Sequence, residues 1–281
     1  ILVFPGFFGF TPHGQIATFS RGGSDITGAI VARGLKADLY ENFTDVDAIY
    51  AANPKLVDHP LAIHRMTYRE MRELSYAGFS VFHDEAIIPA IQGEIPINVK
   101  NTNRPDLPGT LIVPEKDFKP AQTITGVASS TRFAALYLHR YLLNKEVGFT
   151  LKLLQVFKKY NVSYEHMPSG IDDLTVIFDK TQFDEDTIHN MCHDIREVLQ
   201  PDTLEWIDDY AIIMVVGEGM RNKVGVIEQI IQPLAQHDIG VHMINQGASR
   251  ISIMLGTRRA DAEEAVKSIY NAFFSSEPVK N

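Results

Sequence analysis

The chain has 281 residues, 45% hydrophobic and 22% charged, which is material for one to three ordinary cores. A net charge of −9 argues against nucleic acid or an anionic membrane surface as a partner, and no apolar run approaches the ~18 residues that a membrane-spanning helix needs. Cys192 is the single cysteine, so no intramolecular disulfide can form, which fits a reducing cytosol.

Ile1-Leu2-Val3-Phe4-Pro5-Gly6 reads as the last half of a core strand, so the chain is expected to begin inside a domain, and it lacks the basic region of a signal peptide. A short apolar approach at Ile16 and Phe19 then meets Ser20-Arg21-Gly22-Gly23-Ser24-Asp25. Gly22 and Gly23 let a ligand approach the backbone, and Ser24 is an N-cap candidate for an apolar helix over 26–35. The free N–H groups of that first turn favour an anion. Arg21 offers a planar fork for a carboxylate or phosphate, and Asp25 offers an acceptor for an ammonium, so the pair could grip a zwitterionic amino acid at both ends. The same string also reads as a capped turn with a surface arginine.

Two further motifs follow, Thr44-Asp45-Val46-Asp47-Ala48-Ile49-Tyr50 and Asn53-Pro54-Lys55. Thr67-Tyr68-Arg69-Glu70 is a capping box that opens a helix through about Tyr76, stopped by Gly78. Phe79–Phe82 reads as a strand, a helix is expected from Asp84, and Ile95–Val99 reads as another strand. This alternation over residues 1–113 predicts α/β architecture. Residues 101–121, rich in Pro, Asn and Asp, are the linker candidate, with the division between domains placed at 114–121.

Beyond the linker the chain repeats itself. Residues 147–178 align without a gap on 224–255, an offset of 77. Val147-Gly148 matches Val224-Gly225, Asn161-Val162 matches Asp238-Ile239, and Leu174-Thr175-Val176 matches Ile251-Ser252-Ile253. Strands at Ala134–Leu138 and Tyr210–Val216 precede the copies, and helices at Asp184–Leu199 and Arg259–Phe273 follow them. Each unit therefore reads as β-α-β-β-α-β, a ferredoxin-like module present twice. The expected modules are 122–204, possibly completed by a strand from 274–281, and 205–273.

Taken together, Gly6-Phe7-Phe8-Gly9, the 19–25 string, Thr44–Tyr50, Asn53-Pro54-Lys55, Asn101-Thr102-Asn103-Arg104-Pro105 and Pro108-Gly109-Thr110 closely resemble the aspartokinases of the amino-acid kinase family. The repeated half resembles tandem ACT domains, the small-molecule sensors of amino-acid metabolism. The implied fold is part of an α/β amino-acid-kinase-like domain followed by two α+β ferredoxin-like ACT modules. The implied activity is transfer of the γ-phosphoryl of ATP, with Mg2+, to the side-chain carboxylate of aspartate, under feedback by lysine or threonine. That transfer rests mainly on positioning and charge neutralisation.

Carried over residue by residue, Arg21 would hold the α-carboxylate of aspartate and Asp25 its ammonium, with Gly22, Gly23 and Ser24 shaping the loop. Thr44 and Asp45 match the loop beside the base and ribose, Tyr50 matches a ring beside the nucleotide, and Lys55 stands where many relatives have an arginine. Tyr50 also reads as a core aromatic. Asn53 replaces a common aspartate, Ser80 stands where relatives often have a lysine, and Asp84 replaces the proline after His83. The family's Lys-Phe-Gly-Gly-Thr-Ser motif, source of the catalytic lysine, is absent, so residues 1–281 are expected to be the inactive C-terminal part of such an enzyme.

The effector positions implied by the resemblance are Val147, Gly148, Phe149, Glu165, Ser169, Gly170, Ile171 and Asp172. Glu165, on an expected strand Val162–Met167, could pair with an effector ammonium or could simply be an exposed strand carboxylate. The resemblance further implies a cytoplasmic homodimer or higher homo-oligomer joined through its ACT modules. A non-catalytic amino-acid-sensing subunit, or another amino-acid kinase with a different acidic substrate, are the other readings.

Overall fold

The computed structural model describes residues 1–19, 22–79, 88–116 and 118–274. The first elements are β1 (Phe8–Phe10) and β2 (Ile16–Thr18), paired antiparallel as a hairpin, followed by α1 (Gly23–Leu35). Next come β3 (Tyr40–Thr44), β4 (Arg65–Thr67), α2 (Tyr68–Tyr76), α3 (Ile88–Gln92), β5 (Ile97–Asn101) and β6 (Thr110–Val113). Their sheet has the order β3-β5-β6-β4, with β3 parallel to β5, β5 antiparallel to β6 and β6 parallel to β4. Ile1–Phe4, expected as half a strand, are exposed and lie in no strand. Their apolar pattern does not suffice, because no described strand offers them a backbone partner.

The capping box is present in full. Thr67 accepts from the Glu70 backbone N–H while the Glu70 carboxylate accepts from the Thr67 backbone N–H. Helix α2 ends at Tyr76, and Gly78 follows at φ 112°. The proposed linker, in contrast, contains β6, which sits inside the sheet between β5 and β4. Thr110-Leu111-Ile112-Val113 is a short β-rich run with Ile112 fully buried, and the Pro- and Asn-rich turn before it disguises it.

The remaining elements are β7 (Gly126–Ser130), β8 (Phe133–His139), α4 (Phe149–Lys159), β9 (Asp173–Asp179), α5 (Glu185–Leu199) and β10 (Thr203–Ile207), then β11 (Ala211–Val216), α6 (Val226–Gln236), β12 (Met243–Asn245), β13 (Ser252–Thr257) and α7 (Ala262–Phe274). Contacts divide the chain into two compact units. One holds residues 1–129 and 213–255 with the last helix, and the other holds residues 130–212 and 256–262.

In the second unit the sheet order is β10-β8-β9, and bridges His166↔Ile177 and Ser169↔Leu174 add a fourth line of chain beside β9. This is the ferredoxin-like order, with its second strand reduced to isolated bridges. The expected strand Val162–Met167 is thus not regular, because only His166 and Ser169 find paired positions. Leu153, Phe157, Phe178, Met191 and Ile195 fill the core between sheet and helices. In the first unit the order is β12-β13-β11-β7.

The expected boundaries at 122 and 204 therefore need correction. Thr203–Ile207 close the first copy's own sheet, and residues 126–130 belong to the sheet of the second copy. All six residues of β11 are buried, so its free backbone edge requires a partner, and β7 supplies one with Val127 and Ala128 buried. The expected completion by 274–281 falls, beyond Phe274, outside the described residues.

Candidate functional site

The 19–25 string is only partly described, since Ser20 and Arg21 lie outside the described residues, as do Ser80, His83 and Asp84. Gly22, at φ 70°, is the N-cap of α1, with no side-chain cap. Ser24 is therefore inside the helix and exposed rather than its cap, because the left-handed glycine already turns the chain into the helix. Gly23 is buried, and a Cβ there would lie 2.8 Å from both Phe19 and Phe7.

Asp25 sits in the first turn, where the helix dipole favours a carboxylate. Its Oδ1 accepts from Asn42 Nδ2 at 2.9 Å, and the same amide donates to the Tyr40 hydroxyl at 3.0 Å. Burial pushes the Tyr40 phenol up, with the neighbouring Asp25 charge adding to the effect. Asn42 is 93% buried, since its relative exposure is 7%. A buried asparagine in mid-strand was the signal in Tyr40-Glu41-Asn42-Phe43-Thr44 that sequence reasoning passed over.

Asn42 and Thr44 share one face of β3, and two strand residues span about 6–7 Å. The strand thus carries the Asp25 cluster toward Thr44 and Asp45 at its C-terminal end. Thr44 Oγ1 donates to Asp45 Oδ1 at 3.2 Å, and Thr102 N donates to Thr44 O at 2.8 Å. Asn101 is buried and donates to Asp47 Oδ1 at 2.7 Å, while Arg104 forms an ion pair with the same carboxylate. These contacts pin the 44–50 loop against the end of β5.

Behind that loop is a cavity of about 280 Å³ lined by Val46, Ala48, Tyr50, Lys55, Gly78 and Phe79 among others. Tyr50 and Lys55 meet there, whereas Thr44 and Asp45 are not among its lining residues. Lys55 is held in a short turn through its backbone N–H, which donates to Asn53 Oδ1 at 2.9 Å. The departure from aspartate to Asn53 keeps that turn, because an amide oxygen accepts as a carboxylate would. An apolar slot with one lysine in its lining suits a flat ring carrying phosphates.

In the repeated half, Gly148 and Gly225 are the N-caps of α4 and α6, at φ 82° and 86°. A Cβ at either would meet nothing within 4 Å. Asn161 and Asp238, also 77 apart, end those helices at φ 54° and 56°. Around Gly148, Val147 and Ile171 are exposed, while Phe149 points its ring into the core. Asp172 O accepts from Arg140 N at 2.9 Å, Asp172 Oδ1 accepts from Leu142 N at 2.9 Å, and Ile171 O accepts from Asn144 N at 3.2 Å, so the 140–144 loop and the 171–172 turn are joined. Gly170 N donates to Asp173 O, Ser169 bridges Leu174, and Glu165 N donates to Ile177 O.

Sequence reasoning missed a second cavity, of about 360 Å³, at the matching loop of the second copy. Arg221, Lys223, Gly225, Glu228, Gln246 and Arg250 are among its lining residues.

Residues 1–101 match the amino acid kinase family, and residues 213–273 match the ACT domain. Aspartokinase 3 of Bacillus subtilis is 48% identical over 275 residues, covering 98% of this chain and 60% of that protein. The crystal structure of Clostridium acetobutylicum aspartate kinase matches with a TM-score of 0.90 at 42% identity, over 96% of this chain and 62% of that one. Escherichia coli aspartokinase III, in complex with aspartate and ADP, shares the fold at a TM-score of 0.79 and 23% identity, over 96% and 60% of the two chains. The same enzyme is also known in complex with lysine and aspartate. The chain spans about three fifths of the length of these relatives.

Proposed function

We propose that this chain, which resembles the aspartokinases in sequence and fold, supplies the aspartate- and nucleotide-facing part of an aspartate kinase together with its regulatory half. In that reaction a side-chain carboxylate oxygen of aspartate attacks the γ-phosphorus of ATP, and ADP leaves. Asn42 fixes one oxygen of Asp25 and leaves the other to receive the substrate ammonium, with Arg21 taking the α-carboxylate. The cavity between Val46 and Phe79 takes the base, Tyr50 lies along it, and Lys55 meets the phosphates of ATP–Mg2+. Thr44 and Asp45 stand at the ribose side of the loop.

The observation that carries this reading is the cavity at Tyr50 and Lys55, placed at the end of the same strand that anchors Asp25. A non-catalytic sensor has no use for either. Lysine or threonine acts as effector at the open space beside Gly148, with Ser169, Gly170 and Ile171 across the turn and Glu165 offered to its ammonium. The protein works in the cytoplasm as a homo-oligomer joined through its ACT modules.

Hydroxylamine trapping of the acyl phosphate tests the assignment. Residues 1–281 with ATP, Mg2+ and aspartate should give no hydroxamate, since charge on the transferred phosphoryl lacks the family's lysine. A chain that also carries a Lys-Phe-Gly-Gly-Thr-Ser segment should give it. Hydroxamate from residues 1–281 alone overturns the expectation of inactivity, and none from a chain that also carries the lysine motif overturns the aspartate-kinase assignment.

A further inference from the structure

Glu70 is fully buried, and both of its oxygens are spoken for. Oε2 accepts from Thr67 N at 2.8 Å and Thr67 Oγ1 at 3.1 Å, which closes the N-terminal turn of α2. Oε1 reaches the other way, accepting from Thr125 Oγ1 at 2.5 Å and from the backbone N–H of Glu218 at 2.8 Å. One carboxylate therefore ties a helix of the kinase-like sheet to the start of the 3-10 turn Glu218–Met220 after β11. One turn further along α2, burial raises the Glu73 carboxyl above its ordinary range, and the nearby Ser252 of β13 offsets part of that rise.

Each end of this tie leads to a cavity. Helix α2 runs through Ala77 directly into Gly78 and Phe79, which line the space beside Tyr50 and Lys55. The 218–220 turn runs into Met220, Arg221 and Lys223, which line the cavity beside Gly225. The turn packs closely on residues 122–125, so closely that no side chain would fit: a Cβ at Gly219 would come 2.1 Å from Gln122 O, and one at Gly217 would come 2.6 Å from Ile124 Cα. The segment that 217–219 rests on thus includes Thr125, itself a donor to Glu70. Val127 N also donates to Ala51 O at 2.7 Å, directly behind the Tyr50 loop.

We infer that Glu70 is a positioning residue, through which the loop 217–225 of the second copy sets the position of Gly78 and Phe79 in the nucleotide cavity. The inference deepens the proposed function and rests on it for the identity of that cavity's occupant. All four groups facing Glu70 are placed to donate to its carboxyl oxygens. In Glu70→Gln one oxygen becomes an NH2 donor. The amide oxygen can keep the capping box, which leaves the NH2 facing the Glu218 N–H. That substitution cuts the link between sheets while sparing the helix cap. Thr67→Ala does the reverse, and Thr125→Val removes one donor to Oε1 while keeping the charge and the cap.

Hydrogen exchange of residues 1–281, read by peptide mass without ligand, separates these cases. Glu70→Gln should speed exchange about tenfold in both the 217–225 and the 77–79 segments, as loss of a charge-assisted hydrogen bond predicts. Thr125→Val should do so to a lesser degree in the same two segments, and Thr67→Ala should affect 68–76 alone. Unchanged exchange at either 217–225 or 77–79 in Glu70→Gln overturns the inference, as does the same pattern from Thr67→Ala. If Glu70→Gln does not fold, Thr125→Val decides by the same two segments. A parallel titration with ADP and Mg2+ keeps the two claims apart. Absence of ADP binding in the parent chain counts against the nucleotide assignment alone, because the exchange pattern does not depend on it.

Discussion

Valine in place of Gly148 tests the effector site, and the repeat supplies its own control. Gly148 and Gly225 share the N-cap position, have φ values of 82° and 86°, and face open space where a Cβ would project. A side chain forced into the left-handed region costs about 1–2 kcal/mol at either residue, and neither collides with the chain itself. At roughly 2–4 °C per kcal/mol for a domain of this size, both variants should melt a few degrees low, by nearly equal amounts. Backbone strain is therefore matched, and what differs is the ligand. Calorimetry on residues 1–281 should show heat with lysine or threonine in the parent chain, none with Gly148→Val, and heat retained with Gly225→Val. An effector shared between two copies of the chain should also stabilise their association by mass action, visible in sedimentation with and without it. Binding that survives in Gly148→Val and disappears in Gly225→Val would move the effector to the cavity lined by Arg221, Lys223 and Arg250. Loss in both variants would show that strain alone is at work and would remove the argument for Gly148.

Two further outcomes follow from single contacts. In a catalytically active chain extended upstream, Asn42→Leu should raise the KM for aspartate about tenfold or more, with a smaller change for ATP, because Asp25 loses its charge-assisted anchor. An unchanged aspartate KM removes the Asp25 cluster from the substrate site. Glu218→Gln should raise the thermal midpoint at pH 7 and leave it unchanged at pH 4. Burial, with Glu70 close by, raises the Glu218 carboxyl above its ordinary range, so the folded state holds that proton more tightly than the unfolded chain does. Stability from this group is therefore full at acid pH and lost as pH rises through the folded value, and a neutral amide escapes that loss. A lower midpoint for the glutamine variant at pH 7 contradicts the argument.

Local signals with a backbone mechanism were the ones readable in the sequence. The Thr67–Glu70 box, the stop at Gly78 and the matched pairs Gly148/Gly225 and Asn161/Asp238 all specify dihedrals or caps, which depend on a few adjacent residues. Signals that depend on a distant partner were misread. Ile1–Phe4 have a strand's composition and no strand, while Thr110–Val113 hide a strand inside a turn-rich stretch. The substrate and nucleotide residues came from the resemblance. Asn42, Asp47 and Asn101, which hold those residues in place, were missed because a buried amide shows its value only when its partners across the sheet are known.

The repeat itself shows where one-dimensional reading stops. Two copies 77 residues apart invite a cut between them, yet the chain places β7, which precedes the first copy, on the sheet of the second. The reason is the open edge of β11. A strand buried throughout cannot leave its peptide groups without partners, and β7, which follows the first sheet in the chain, pairs with it. That choice has a structural consequence. Because β7 is preceded by Thr125 and touches Ala51 through Val127, the segment that completes the second sheet also contacts the chain just after Tyr50 and, through Thr125, the Glu70 carboxylate. The first copy's sheet is built from its own strands, β8 to β10, so it is only the second copy that draws on residues 126–130 for its fourth strand. The nesting of one module inside the other thus joins the second copy's sheet by direct hydrogen bonds to helix α2 and to the loop that carries Tyr50.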